Sequence, residues 1–384
     1  MSACAACLRR SALIGLLAAP IANMLDGGRR APGVLALPEQ HLIESVAASS
    51  RGAARTALRR FDPDERRLEI EQAGLFALCV HDAAYPRRLG DLEDPPAVLY
   101  GAGSQSRLAA LLEEPAVAIV GSRRASAYGL EVARELGRGL SAARITVVSG
   151  LALGIDAAAH RGAADSGCNT IAVLACGADR AYPRTNRALY DRVTAEGSVV
   201  AELPPGTAPR RWTFPARNRI MAGLAELTIV VEAAERSGSL ITARFAQDIG
   251  REVGAVPGRV TARMAAGSNR LLFDGAHFIR DAADVLDLLF GAGGAPAQAV
   301  PGRGPTPDPD PSLEPHLRRV LDAIEGGTPV EAAGAELGLS AAQARAALGR
   351  LEVLGLIRRD GLGAYERTLA AERPLAPEGA AAPS

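Results

Sequence analysis

A chain of 384 residues is long enough for one large domain with one or two small ones, and for a sizeable core. Its 43 basic and 43 acidic residues cancel, so affinity for an anionic polymer must come from a local patch rather than net charge. All the basic residues are arginine, which excludes a Walker A phosphate loop and Schiff-base catalysis, since both need lysine.

Near the start, Arg9 and Arg10 precede the apolar run SALIGLLAAPIANML. An export signal has this outline, but Asn23, Asp26 and a further helical segment follow without a cleavage region, so the run reads as an amphipathic helix. No run reaches the roughly 18 apolar residues of a membrane span. Apolar positions Leu42, Ile43, Val46, Leu58, Leu68 and Ile70 continue the helical pattern. Residues 1–72 therefore read as a small helical, SAM-like domain. The five cysteines, Cys4, Cys7, Cys79, Cys168 and Cys176, are odd in number and too sparse for a disulfide scaffold, which fits a reducing, cytoplasmic compartment. Cys4 and Cys7 form a CxxC pair, but no second pair at ligand spacing completes it, so neither a metal nor any other cofactor is expected.

After a strand-like FALCV and a short VLY run, the pattern changes to β-branched runs alternating with helical segments. The runs are Val117–Val120, Ile145–Val148, Ile171–Leu174, Ser198–Ala201, Leu227–Val231 and Val253–Val256. This alternation marks parallel strands joined by helical crossovers, hence a doubly wound, Rossmann-like α/β domain over 73–290. Residues 291–311 are rich in Gly and Pro and read as a linker. Three helical patterns and a Gly-tipped hairpin over 312–368 outline a winged helix, and 369–384 reads as a disordered tail.

Open parallel sheets bind ligands beyond the carboxyl ends of their strands. Four turns there are suited to anions: Gly121-Ser122-Arg123, the Gly150 to Gly154 turn opening a helix, the stretch from Arg210 through Arg211, Trp212, Phe214, Arg217, Asn218 and Arg219, and Ser237-Gly238-Ser239 with Thr242. Guanidinium groups can track phosphates, free amides at helix starts can hold anions, and an aromatic ring can stack on a base. Together they predict a single-strand groove, with loss of Arg217 expected to flatten its salt dependence. Neither GxGxxG nor a ribose-binding carboxylate is present, which disfavours NAD. Asp156 and His160, four apart, could be an acid/base or metal pair, or equally a hydrogen-bonded cap and its partner. The enzymatic alternative is a nucleotide N-glycosidic hydrolase using Glu232 and Asp156.

The motifs GSR (121–123), SGLALGIDAAAHRGA (149–163), TIAVLACGADRAYP (170–183), FPARNR (214–219), VVEAAERSGSLITA (230–243) and GSNRLLFDGA (267–276) together resemble the bacterial DNA-processing protein A family, DprA or Smf. The resemblance implies a non-catalytic homodimer that binds single-stranded DNA, protects incoming strands and loads the RecA recombinase in natural transformation. Carried over, the strand contacts are Ser122, Arg123, Gly150, Gly154, Phe214, Arg217, Asn218, Arg219, Gly238, Ser239 and Thr242. Ala201-Glu202-Leu203-Pro204 departs from the family's Ser-Glu-aromatic-Pro pattern. The third helix of the expected winged helix carries only Arg345 and Arg350 among its alanines, so a docking role is expected there in preference to duplex reading.

Overall fold

The computed structural model describes residues 3–25, 32–46, 48–291, 313–325, 339–354, 356–359 and 365–367. The chain divides into two compact units, Met1–Val300 and Pro301–Ser384. The first begins with helices α1 (Ala5–Leu25), α2 (Pro32–Ala36), α3 (Glu39–Ser45), α4 (Ala48–Arg59) and α5 (Pro63–Gln72). The window Ala5–Ala22 in α1 is apolar and long enough to cross a membrane, contrary to the expectation from the sequence. Leu8, Leu13, Ile14, Leu17 and Ile21 are nevertheless buried against protein.

Next come β1 (Leu75–Cys79), β2 (Val98–Ala102), α6 (Gln105–Glu113), β3 (Ala116–Val120), α7 (Ala127–Ala142), β4 (Thr146–Ser149) and α8 (Ile155–Ala164). They are followed by β5 (Thr170–Leu174), α9 (Arg187–Glu196), β6 (Ser198–Ala201), α10 (Thr213–Leu224) and β7 (Leu227–Val230). The unit closes with α11 (Ser239–Asp248), β8 (Glu252–Ala255), α12 (Ala266–Phe273), β9 (His277–Phe278) and α13 (Ala282–Phe290). All nine strands share one sheet in the order β1-β2-β6-β5-β4-β3-β7-β8-β9. The six runs expected to be parallel are β3 to β8, and they pair in parallel. FALCV and VLY extend that sheet as an antiparallel edge.

Strand alternation explains the layers. Ala116, Ala118 and Val120 of β3 face a core shared with Leu108, Ile220, Met221 and Ala243 of α6, α10 and α11. Val117 and Ile119 face the opposite core with Leu136, Ala159 and Val285 of α7, α8 and α13. A sheet covered on both faces needs apolar residues at successive positions, which is why these strands read as continuous runs. After β3 the chain winds outward through β4, β5 and β6, then crosses back along α10 to β7 on the other side of β3. The carboxyl ends of β3, β4 and β7 therefore border the crevice where strand order reverses.

The helical segment does not stand apart from this domain. Its core of Leu13, Leu17, Leu42 and Leu58 also includes Leu203, Trp212 and Ala216 from beyond β6. In the second unit, α14 (Pro315–Glu325) and α15 (Ala341–Val353) pack around Leu317, Leu321, Leu348 and Leu351, beside antiparallel strands β10 (Ile357–Arg359) and β11 (Tyr365–Arg367). The expected middle helix (330–337), the hairpin tip, the linker beyond Gly291 and the tail lie outside the described residues.

Trp212 is the single tryptophan, and its Nε1 donates to the Ala18 carbonyl at 2.9 Å. Truncation would remove both that bond and a large buried ring. Trp212→Ala is expected to lower unfolding free energy by about 3–5 kcal/mol, checked by urea denaturation followed by circular dichroism.

Candidate nucleic-acid interface

A cavity of about 470 Å³ opens at the carboxyl edge, between the loop after β3, the start of α8, α10 and the start of α11. Helix α10 supplies one wall. Phe214, Asn218 and Met221 line the cavity at successive helical spacings of four and three, so they share a face, and Arg211 lines it from the turn before α10. Residues two positions away point elsewhere. Trp212 lies in the core of the helical segment, and Phe214 alone of the two lines the cavity.

Arg219, expected to contact the strand, is absent from the cavity lining and only 2% exposed. Its Nη1 and Nη2 donate to the two carboxylate oxygens of Glu202 at 2.9 and 2.7 Å, and its Nε donates to Asp94 Oδ1 at 2.9 Å. This corrects the sequence expectation: a guanidinium whose fork is filled by two carboxylates offers nothing to phosphate. Burial acts against its charge, but Glu202 and Asp94 prevail and hold its pKa above the ordinary value.

Arg217 does reach the cavity, but mainly as a brace. It is 5% exposed; Nη1 donates to the Gly150 carbonyl at 2.7 Å and to that of Val173, and Nε donates to Asn218 Oδ1 at 3.3 Å. Burial draws its pKa down and Asp156 opposes this. Asp156, also on the cavity wall, has its pKa raised by burial, opposed by Arg217 and by the amides of Ala152 and Gly150. Removing Arg217 would therefore unsettle the loops as well as any strand contact, so it is no clean probe of phosphate binding.

The glycines of the second turn serve close packing. A Cβ on Gly150 would lie 2.0 Å from Arg217 Nη1, and one on Gly154, at φ +77°, would lie 2.2 Å from the Ser122 carbonyl oxygen. Gly121 likewise abuts Ile155, and the Ile155 amide donates to Ser122 O at 3.2 Å. These approaches clamp the β3 loop onto the start of α8. Ser122 Oγ accepts from the Arg124 amide at 3.0 Å, which shapes the turn and leaves the Arg123 side chain exposed.

Arg123 lies over the Phe214 ring, with Cζ 4.6 Å from the centroid, and the Tyr182 ring packs against Phe214 with centroids 5.9 Å apart. On the opposite wall α11 begins at Gly238 with no side-chain cap. Ser237 and Ser239 hydroxyls lie 2.8 Å apart there, and the Gly238 carbonyl accepts from Asn218 Nδ2 at 3.2 Å. The Thr242 hydroxyl is buried on the cavity wall without a hydrogen-bond partner. The Ser239 amide donates to Ser237 Oγ at 3.4 Å, and the Leu240 and Ile241 amides donate to the Ser237 and Gly238 carbonyls, so what the cavity offers an anion is the Thr242 hydroxyl and the exposed Arg123 and Arg211.

The carboxylates and histidine that suggested catalysis are dispersed. Glu232 Oε2 accepts from the Ser126 amide at 2.8 Å, at the start of α7, and Glu232 does not line the cavity. His160 Nδ1 is 2.8 Å from Thr170 Oγ1, deep in the core. Thr170 Oγ1 donates to the Val147 carbonyl at 2.7 Å, so it accepts from the ring. Sequence reasoning did not single out Tyr182, which lies outside the four turns; it placed Arg211 and Phe214 in one stretch without assigning Arg211 a strand contact.

A model of the family described as DNA recombination-mediator protein A matches residues 76–290. The chain belongs to this family. The Smf protein of Synechocystis sp. is 36% identical over 326 residues, covering 78% of this chain and 82% of that one. The DNA processing protein DprA of Streptococcus pneumoniae is 38% identical over 251 residues, covering 65% and 87%. Its X-ray structure superposes with a TM-score of 0.59 at 32% identity, covering 74% of this chain and 98% of that one. The Helicobacter pylori DNA processing protein A, described as having a unique single-stranded DNA binding mode, superposes with a TM-score of 0.50 at 30% identity, covering 56% and 95%. The family match spans every strand from β3 to β9 and the whole cavity.

Burial of the His160 ring lowers its pKa from 6.5 to about 3. Between these values the unfolded chain takes up a proton that the fold refuses, so this contribution to stability is intact above about pH 6.5 and lost as pH falls toward 3. A His160→Asn variant is expected to show a flatter fall in stability over that window, checked by urea midpoints measured across pH.

Proposed function

We propose that this chain binds single-stranded DNA along the carboxyl edge of its sheet and acts in DNA processing during transformation and recombination. The observation that carries this reading is the Arg123–Phe214 stack, with exposed Arg211 lining the same cavity. Bases of a single strand are free to stack on such a platform while phosphates meet guanidiniums; a duplex keeps its base faces hidden. The Helicobacter pylori relative supports the same class of ligand. Ser122, Gly150, Gly154 and Arg217 then shape the groove, and Arg123, Arg211, Phe214, Asn218, Gly238, Ser239 and Thr242 meet the strand.

The protein acts as a binder, not an enzyme. Of the two carboxylates of the hydrolase alternative, Glu232 already holds the start of α7 and Asp156 is engaged by Arg217 and the amides of Ala152 and Gly150. From family resemblance, it works in the cytoplasm as a homodimer that protects incoming strands and loads the RecA recombinase. Exposed Phe278 lies on β9, the edge strand of the sheet, and an open edge suits pairing. Phe278→Glu is expected to shift the protein to monomer in sedimentation equilibrium.

Arg123→Ala is expected to weaken binding to single strands of every sequence and to reduce the salt slope by about 0.7 log units for each phosphate that is no longer neutralised. Phe214→Ala is expected to cost about 1–3 kcal/mol with the slope unchanged. Fluorescence anisotropy with a labelled oligonucleotide at several salt concentrations checks both; wild-type affinity in both variants would move the strand elsewhere.

A further inference from the structure

The Cys4–Cys7 pair, expected to lack partner ligands, meets Cys79 and His81 in the fold. Cys4 precedes α1 and Cys7 lies in its first turn, whereas Cys79 ends β1 and His81 occupies the turn that follows. Their ligand atoms all lie within 4.8 Å of one another. His81 Nδ1 is 3.5 Å from Cys4 Sγ, 3.4 Å from Cys7 Sγ and 4.0 Å from Cys79 Sγ. A tetrahedral zinc ion with its usual Zn–S and Zn–N bonds holds S and N ligands about 3.5 Å apart. The ring nitrogen is thus at coordination spacing from two of the sulfurs, with Cys79 Sγ slightly farther out at 4.0 Å.

We propose that Cys4, Cys7, Cys79 and His81 bind a structural zinc ion that clips the start of α1 to the end of β1. Four protein ligands close the coordination shell and leave no position for substrate, which marks a structural site. The surroundings prepare it. The Cys4 amide points at Cys79 Sγ at 3.5 Å, and Asp82 Oδ2 accepts from the Cys79 amide at 2.7 Å, fixing the strand end. Arg67 of α5 holds the carbonyl of Ala3 at 3.3 Å. Three thiols converging on one imidazole are poorly placed for a single disulfide, which would leave one sulfur and the ring without a role. Zinc uses all four.

The test is metal content of the full-length protein, purified under reducing conditions without metal-affinity resin, with His81→Ala, Cys79→Ser, His81→Cys and Cys168→Ser variants. Wild type and Cys168→Ser are expected to hold about one zinc per chain. His81→Ala, at an exposed position, and Cys79→Ser are expected to bind at least about tenfold more weakly, while His81→Cys restores binding with a fourth thiolate. Cobalt substitution should give a thiolate charge-transfer band that weakens in Cys79→Ser. Chelation should lower the thermal midpoint of wild type more than that of His81→Ala. Metal-free wild type, zinc content indifferent to these substitutions, or a Cys4–Cys7 disulfide in protein alkylated at lysis would each overturn the proposal.

Discussion

A buried guanidinium holds the carboxyl edge together. Parallel strands end with carbonyls that have no further strand amide to donate to them, and at the ends of β4 and β5 those of Gly150 and Val173 accept from Arg217. Arg217 arrives on α10, the crossover that carries the chain back across the sheet, so one side chain ties the crossover to two strand ends. The charge stays because Asp156 stands beside it, and the fork fits because Gly150 has no Cβ. Lysine, a compact and strongly hydrated point charge that deprotonates readily when buried, could not span these acceptors. A lysine-free chain uses arginine here as an internal beam.

The same helix explains why a run of basic and aromatic residues divides its labour. Side chains two positions apart on a helix project about 200° apart, so Arg217 and Arg219 cannot serve one strand, and neither can Trp212 and Phe214. One phase goes inward to Glu202, Asp94 and the helical segment; the other faces the cavity. Glu202 stands in the pattern Ala-Glu-Leu-Pro, where the missing family aromatic is replaced by Leu203 packed beside Trp212. Neutral net charge is consistent with this arrangement, because many arginines are paired internally or across helix turns while Arg123 and Arg211 project at the edge.

Much of this was legible before any coordinates. Six strands declared themselves as apolar runs because both sheet faces are covered, and the ligand edge followed from strand direction alone. Ser122, Arg123, Phe214, Asn218, Gly238, Ser239 and Thr242 come together around one cavity as their turns suggested. Spacing could not tell which arginines are consumed by carboxylates, since Asp94 is 125 residues from Arg219. Nor could it pair Cys4 with Cys79, 75 residues away. Local sequence reports the turn in which a residue sits; only long-range packing reports what it meets.

That distinction gives the helical segment a part in presenting Phe214 at the cavity, which the proposed strand binding would use. The indole of Trp212 is fixed from one side by the Ala18 carbonyl and the apolar core of α1, α3 and α4. Next to it, Thr213 Oγ1 donates to the Ala175 carbonyl at 2.6 Å, at the end of β5. The first turn of α10 is thus pinned between the helical segment and the sheet, and Phe214 is the next residue. Its ring can meet a base without first being ordered, so less conformational entropy opposes binding. Loosening α1 would release the turn that presents Phe214, and affinity would fall through the platform's disorder while every phosphate contact stayed in place.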